Sequence, residues 1–192
     1  MMNRARRVTQ SATAKNAMKL SERLNPVSGT NVGDAAVALL LKPTDDTFSV
    51  LFVRRANRLS DPWSGQMALP GGKREPNDKD LRQTVIRETL EETSINLEDQ
   101  CRFLGTARIE HSVSRPEMRI APFVILIEHE PVIRLNRKEL EGYKWIPLKE
   151  LIKHRGTTKF SFGEFPAYLL DDMVIWGLTY RIVENLLRMI CR

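Results

Sequence analysis

The middle of the chain reads Gly71-Gly72-Lys73-Arg74-Glu75-Pro76-Asn77-Asp78 and runs on to Arg87-Glu88-Thr89-Leu90-Glu91-Glu92. Asp78 or Asp80 can cap a helix extending to about Thr93. On that helix Glu88, Glu91 and Glu92 stand at i, i+3 and i+4 and share one face, with Cβ atoms about 5–6 Å apart. Such a run is most often a solvated face, but solvated faces usually offset the repulsion with interspersed lysines. Here only Arg87 is adjacent in sequence. A hard divalent cation resolves the repulsion, because Mg²⁺ takes oxygen ligands and leaves positions open to phosphate. The glycine turn ahead of the helix supports that use, since glycine lets a backbone approach closely and leaves carbonyls free to ligate.

Outward from this unit the pattern is α/β. Apolar runs at 35–41 and 49–53 read as strands joined by a turn over 43–47, a hairpin. A loop over 57–65 and a short strand-like piece at 66–69 lead into the glycines. After the helix, strand-like runs follow at 103–109, 119–127 and 142–146. Residues 147–153 suit a short helix with proline in its first turn. Ile175, Leu178, Ile182, Leu186 and Met189 recur at helical spacing and predict a helix over 173–189 that faces the core. The predicted architecture is therefore a mixed sheet between helices. Trp145 and Trp176 read as core.

The 192 residues suit one domain. We divide the chain into a basic tail and short helix over 1–29 and a folded domain over 30–192, with Asn25-Pro26 opening the break between them. Residues 1–21 hold five bases and no acid. An organelle transit peptide can look like that; a frayed basic tail leading into a short helix near Leu24 is the plainer reading. No run approaches a membrane span. Cys101 and Cys191 have no metal-site spacing, and a reducing cytoplasm is the default compartment. The net charge of +6 has three uses to choose from. Nucleic-acid binding needs a basic stripe with interleaved aromatics, and membrane binding a basic amphipathic helix; neither is evident. A positive field that draws in a polyanionic small molecule remains, beside a merely soluble basic surface.

Residues 72–95 resemble the Nudix box, with Gly72, Arg87, Glu88, Glu91, Glu92 and Ile95 in the matching places. Asp78 stands where the box has its first Glu, eight residues rather than seven separate it from Arg87, and Ser94 replaces the final Gly. The coenzyme A diphosphatase branch of that family also carries a longer box with Asp at this point. Leu51-Phe52-Val53-Arg54-Arg55-Ala56 followed by the run Gly65 to Gly72 is similar to that branch's upstream signature, while Ser60-Asp61-Pro62-Trp63 departs from its spacer. Ala121-Pro122-Phe123-Val124, Asn136-x-x-Glu139-Leu140 and Trp145-Ile146-Pro147-Leu148 also resemble family landmarks, as does the stretch from Tyr168 through Trp176-Gly177-Leu178-Thr179.

The resemblance implies a Nudix-type α/β/α sandwich and Mg²⁺- or Mn²⁺-dependent hydrolysis of a diphosphate linkage in a nucleoside diphosphate derivative, with a coenzyme A-like substrate favoured. Glu88 and Glu92 are the first candidates for metal ligands, with Gly72 beside them; Glu91 is a ligand or a proton acceptor. Arg87 is expected to orient a carboxylate or the glycine loop. Family members often draw the general base from outside the box, so Glu139 is the candidate, with Glu110 and Glu117 as alternatives. Arg54, Arg55 and Arg58 can contact phosphates, and one of Arg54 and Arg55 must face away if the strand runs through both. Trp63 either stacks on the substrate or anchors its own loop; with Met67 and residues 165–170 it could line an apolar channel. Two alternatives stand beside the coenzyme: another nucleotide (ADP-ribose, a dinucleotide or a nucleoside triphosphate), or a non-catalytic Nudix-fold regulator that binds a nucleotide without cutting it. The expected partner is the small molecule alone, without nucleic acid or membrane; a homodimer is compatible with all of this.

Overall fold

A computed structural model describes residues 14–27, 32–45, 47–58, 63–113 and 115–191. The expectations for 1–13, for the end of the break at 28–31 and for Ser60-Asp61-Pro62 therefore lie outside the described residues. In chain order the elements are α1 (residues 14–21), β1 (Ala35–Pro43), β2 (Phe48–Arg55), β3 (Met67–Ala68), β4 (Gly71–Lys73), α2 (Leu81–Thr93), α3 (Leu97–Gln100), β5 (Cys101–Thr106), β6 (Glu110–His111), β7 (Arg119–Ile127), β8 (Leu140–Pro147), α4 (Leu148–Lys153), β9 (Arg155–Phe160), β10 (Gly163–Leu170), β11 (Met173–Trp176) and α5 (Gly177–Ile190).

Strand β1 is the spine of a mixed sheet. It pairs parallel with β7 from Ala35↔Ile120 to Leu41↔Leu126, and antiparallel with β2 and β4. Strands β5 and β6 flank β7, and β8 and β3 flank β2. The unbroken apolar run of β1 has a physical reason: both its faces are covered. Ala36, Ala38 and Leu40 pack with Leu51, Phe123, Leu81 and Val85 beneath α2. Leu39 and Leu41 pack on the other face with Phe52, Ile182, Val183 and Leu186 beneath α5, and Ala17 and Leu20 of α1 join them. The result is helix, sheet and helix in layers.

Two expectations are corrected here. Residues 173–189 are not one helix, because Met173–Trp176 pairs with β10 and α5 begins only at Gly177, whose φ of +63° turns the chain out of the strand. Ile175 matched the helical spacing, yet it is buried from a strand. The second sheet, in the order β11-β10-β9, had no counterpart in the sequence reading. Trp145 and Trp176 are only partly buried. Lys42 Nζ lies 4.8 Å above the Trp145 ring, and Trp176 belongs to an aromatic cluster with Phe160, Phe162 and Phe165. Among the described residues no helix is long and apolar enough to cross a membrane.

Candidate active site

The turn from β3 into β4 is built so tightly that only glycine fits. Gly71 sits at φ +139°, and a Cβ there would lie 2.3 Å from the Ala36 carbonyl oxygen. A Cβ on Gly72 would lie 2.4–2.6 Å from the carboxyl of Glu88. The two glycines thus let the carboxylate face of α2 descend onto the main chain of β4.

Helix α2 is set in place by its ends. Asp80 caps it, accepting the Gln83 N–H at 2.7 Å. Its C-cap is Ser94 in the left-handed region at φ 62°, with its N–H returning to the Leu90 carbonyl at 2.8 Å. That conformation favours glycine, which gives a physical reason for the glycine usual at the end of the box.

Between the ends, Asp78 and Arg87 form a clasp. Arg87 Nε donates to Asp78 Oδ1 at 3.1 Å and Nη2 to Oδ2 at 3.0 Å. Asp78 Oδ2 also accepts the Glu75 N–H and the Thr84 hydroxyl, each at 2.9 Å. The Arg87 hydrogen bonds hold the Asp78 carboxyl down at about 2, against the opposing pull of burial. Arg87 also donates to the Lys73 carbonyl at 3.1 Å and to Glu88 Oε1 at 3.0 Å. The geometry thus has Arg87 touching both a carboxylate and the glycine strand.

The three glutamates are not equivalent. Glu92 is buried and accepts the Gly71 N–H at 2.9 Å. Burial pushes its carboxyl up to about 8; the nearby carboxylates of Glu88 and Glu139 push the same way, and Arg55 opposes them. Glu88 is raised by burial and held back by Arg87. Glu91 has a side chain 58% exposed, 3.5 Å from Arg87 Nη1. Among the described residues no group of three acids, imidazoles or thiols gathers closely enough to enclose a metal ion. The Arg87 guanidinium draws Glu88 and Glu91 toward itself instead.

The strand alternation separates the two arginines of β2 as expected. Arg54 turns away, 2.7 Å from Asp172, and lines a groove of about 330 Å³ with Met67, Tyr143 and Met173. Arg55 acts on Glu92, across a register shift between Arg54 and Arg55 in the pairing with β8. Glu139 acts on both Glu88 and Glu92. The structure therefore brings together Gly72, Arg87, Glu88, Glu92, Glu139 and Arg55.

Other candidates are placed elsewhere. Glu110 is taken up by α5, accepting from Arg181 Nε at 3.0 Å and Asn185 Nδ2 at 2.6 Å, so it is not available as a base. Arg58 is exposed, its N–H held by Ser64 Oγ at 2.5 Å. Trp63 is 41% exposed. Residues 165–170 belong to β10, and Met67 is buried in the core beneath α5. Asn136, which sequence reading placed only within a landmark and without a role, contacts both Glu92 and Glu139. The only signal for it was its place three residues before Glu139.

The comparisons with known proteins bear on the family and the fold. The sequence profile of the NUDIX domain matches residues 32–167. An uncharacterised protein of Schizosaccharomyces pombe is 38% identical over 149 residues, covering 70% of this chain and 45% of that protein, so the chain spans under half of that relative's length. The human mitochondrial coenzyme A diphosphatase is 28% identical over 198 residues, covering 97% of this chain and 77% of that protein. The solved NUDIX domain of Shewanella oneidensis NrtR, complexed with ADP ribose, superposes with a TM-score of 0.54 at 17% identity, covering 84% of this chain and 91% of that one. The fold is the Nudix α/β/α sandwich, and with the profile matching well over half of its residues the chain belongs to the Nudix hydrolase family.

Proposed function

We propose that this chain hydrolyses the diphosphate linkage of a nucleoside diphosphate derivative with the help of a divalent cation, and that a coenzyme A-like molecule is its substrate. One observation carries the reading: the buried Glu92 and the Glu88 carboxylate lie against the Gly71–Gly72 main chain, with the charges of Glu139 and Arg55 near enough to act on Glu92. The donor set fits Mg²⁺ or Mn²⁺. It offers hard carboxylate oxygens beside a glycine main chain, and Mg²⁺ commonly takes one or two protein carboxylates together with substrate phosphates. Glu88, Glu92 and the Gly72 carbonyl would hold the ion, with Glu91 at the rim. A bound cation supplies neutralisation of the charge that gathers on the phosphate oxygens.

In the proposed reaction a water oxygen forms a bond to one phosphorus. The bridging P–O bond breaks, and its electron pair leaves with the departing phosphate. Glu139 accepts the proton that the water sheds. Arg87 keeps Glu88 and the Lys73 carbonyl in register, and Arg55 and Arg58 meet phosphates, Arg58 the 3′-phosphate of the coenzyme. Trp63 contacts the adenine or the pantetheine arm. The branch choice draws on the longer box with Asp78 and on the human relative's name. The cytoplasm is the proposed compartment, although that relative is named as mitochondrial. Locating a fluorescent fusion of the full chain decides between them.

A second reading has a specific observation behind it: the NrtR domain is described with ADP ribose bound. This chain would then bind ADP-ribose as a regulator or cut it. One experiment separates the readings. Purified protein is offered coenzyme A, dephospho-coenzyme A, ADP-ribose, a dinucleotide and a nucleoside triphosphate with Mg²⁺ or Mn²⁺, and products are resolved by chromatography. Fastest cleavage of coenzyme A supports the proposal. Faster cleavage of ADP-ribose or a triphosphate overturns the branch choice, and binding without cleavage of any of them overturns the enzyme.

A further inference from the structure

We propose that Asn136 is a positioning residue that aims the Glu139 carboxylate toward Glu88 and Glu92; this rests on reading Glu139 as the proton acceptor. The last turn of any helix leaves carbonyls without partners. In α2 the segment leading to β8 takes them up. Arg134 N–H donates to the Thr93 carbonyl at 2.9 Å, Asn136 N–H donates to the Glu92 carbonyl at 2.9 Å, and the Ser94 hydroxyl donates to the Arg134 carbonyl at 3.1 Å. The segment is thereby fastened to the residue whose side chain forms the buried floor of the site.

The Asn136 side chain then fixes Glu139. Its Oδ1 accepts the Lys138 N–H at 3.1 Å, the side-chain turn asparagine favours. That bond leaves Nδ2 facing the other way, and it donates to Glu139 Oε1 at 3.1 Å. The Asn136 carbonyl accepts the N–H groups of Glu139 and Leu140, each at 2.9 Å. From the far side, the Glu139 carbonyl accepts the Ala56 N–H at 2.8 Å, next to Arg55. Glu139 is thus held between α2 and the end of β2, and the amide of Asn136 sets the direction of its carboxylate. The amide does both tasks, its oxygen accepting and its nitrogen donating.

The test is a double-mutant cycle on the full chain, using whichever of coenzyme A, ADP-ribose or nucleoside triphosphate the wild type cleaves fastest with Mg²⁺. Serine at position 136 can still accept the Lys138 N–H but is too short to reach Glu139. Asn136→Ser is expected to lower kcat by about 10- to 100-fold through misplacement of the acceptor, with KM within about threefold and the melting temperature within a few degrees. Asn136→Asp, a second variant that keeps the turn, should also lower kcat. In a Glu139→Gln background Asn136→Ser should cost no more than about twofold, because neighbours acting through one group are not additive. An unchanged kcat in Asn136→Ser overturns the proposal. So does the same loss in both backgrounds, which would mark Asn136 as a loop support. Wild-type turnover by Glu139→Gln alone removes the reading of Glu139 as acceptor, and the proposal falls with it.

Discussion

Replacing Asp78 by asparagine should weaken the fold by about 2 kcal/mol. The Asp78 side chain is 4% exposed and accepts from Arg87 twice, from the Glu75 N–H and from the Thr84 hydroxyl. Its carboxyl is lowered from 3.8 to about 2. At about 1.4 kcal/mol per unit, that difference corresponds to about 2.5 kcal/mol. Arg87 is 21% exposed and keeps Glu75, Glu88 and Glu91 as neighbours, which reduces the figure to about 2 kcal/mol. For a chain of this size the melting temperature should fall by roughly 4–8 °C. The sign of the pH effect follows from the lowered value. The contribution is fully present above about pH 4, the unfolded range, and is lost as pH falls through about 2. Urea denaturation of both proteins at pH 6 and pH 3 checks this. The gap in stability should shrink by about half at pH 3. A gap that stays constant, or grows on acidification, would refute the ion-pair account of the clasp.

Other outcomes follow from the same structure. Glu88→Gln and Glu92→Gln should each lower turnover by roughly 10²-fold or more while the far-ultraviolet circular dichroism stays that of wild type; near wild-type turnover at saturating Mg²⁺ removes the residue concerned from the site. Gly71→Ala should cost more than about 3 kcal/mol or abolish soluble expression, because its Cβ meets main chain at 2.3 Å; a melting curve matching wild type would contradict the tight turn. Arg55→Ala should raise KM for the diphosphate substrate by roughly tenfold or more, and Arg54→Ala should leave KM within about twofold, since its partner Asp172 is exposed. Equal KM changes in the two variants would undo the assignment of opposite faces.

The carboxylate helix was legible because its signal is local. Asp80, the i, i+3, i+4 spacing and the glycine pair all act within a single run of residues, and α2 runs from Leu81 to Thr93 as the caps suggested. The β1–β2 hairpin was legible for a similar reason, through two apolar runs and a turn. The second sheet was not. Strand β9, Arg-Gly-Thr-Thr-Lys-Phe, alternates only weakly, and Met173–Trp176 carries a spacing that a helix could share. The Asp171-Asp172 pair was the available clue, and Asp171 does take a left-handed turn at φ +48°. Within the site, that Arg54 and Arg55 face apart followed from strand alternation, but which of them faced inward depended on the pairing of β2 with β8. The spread of the three glutamates depended on where Arg87 points: its i,i+4 contact with Glu91 is encoded by helical spacing, but its contact with Glu88, the next residue, is not.

In the proposed function Glu88 and Glu92 hold a divalent cation that diphosphate hydrolysis requires. The most direct measurement is Mn²⁺ binding followed by electron paramagnetic resonance, run beside turnover with and without chelator, on wild type and Glu92→Gln. Wild type should bind Mn²⁺, lose turnover on chelation and regain it with added Mg²⁺ or Mn²⁺, while Glu92→Gln should bind at least about tenfold more weakly and turn over at least about 10²-fold more slowly. Turnover that survives chelation, or Mn²⁺ binding unchanged in Glu92→Gln, would contradict it.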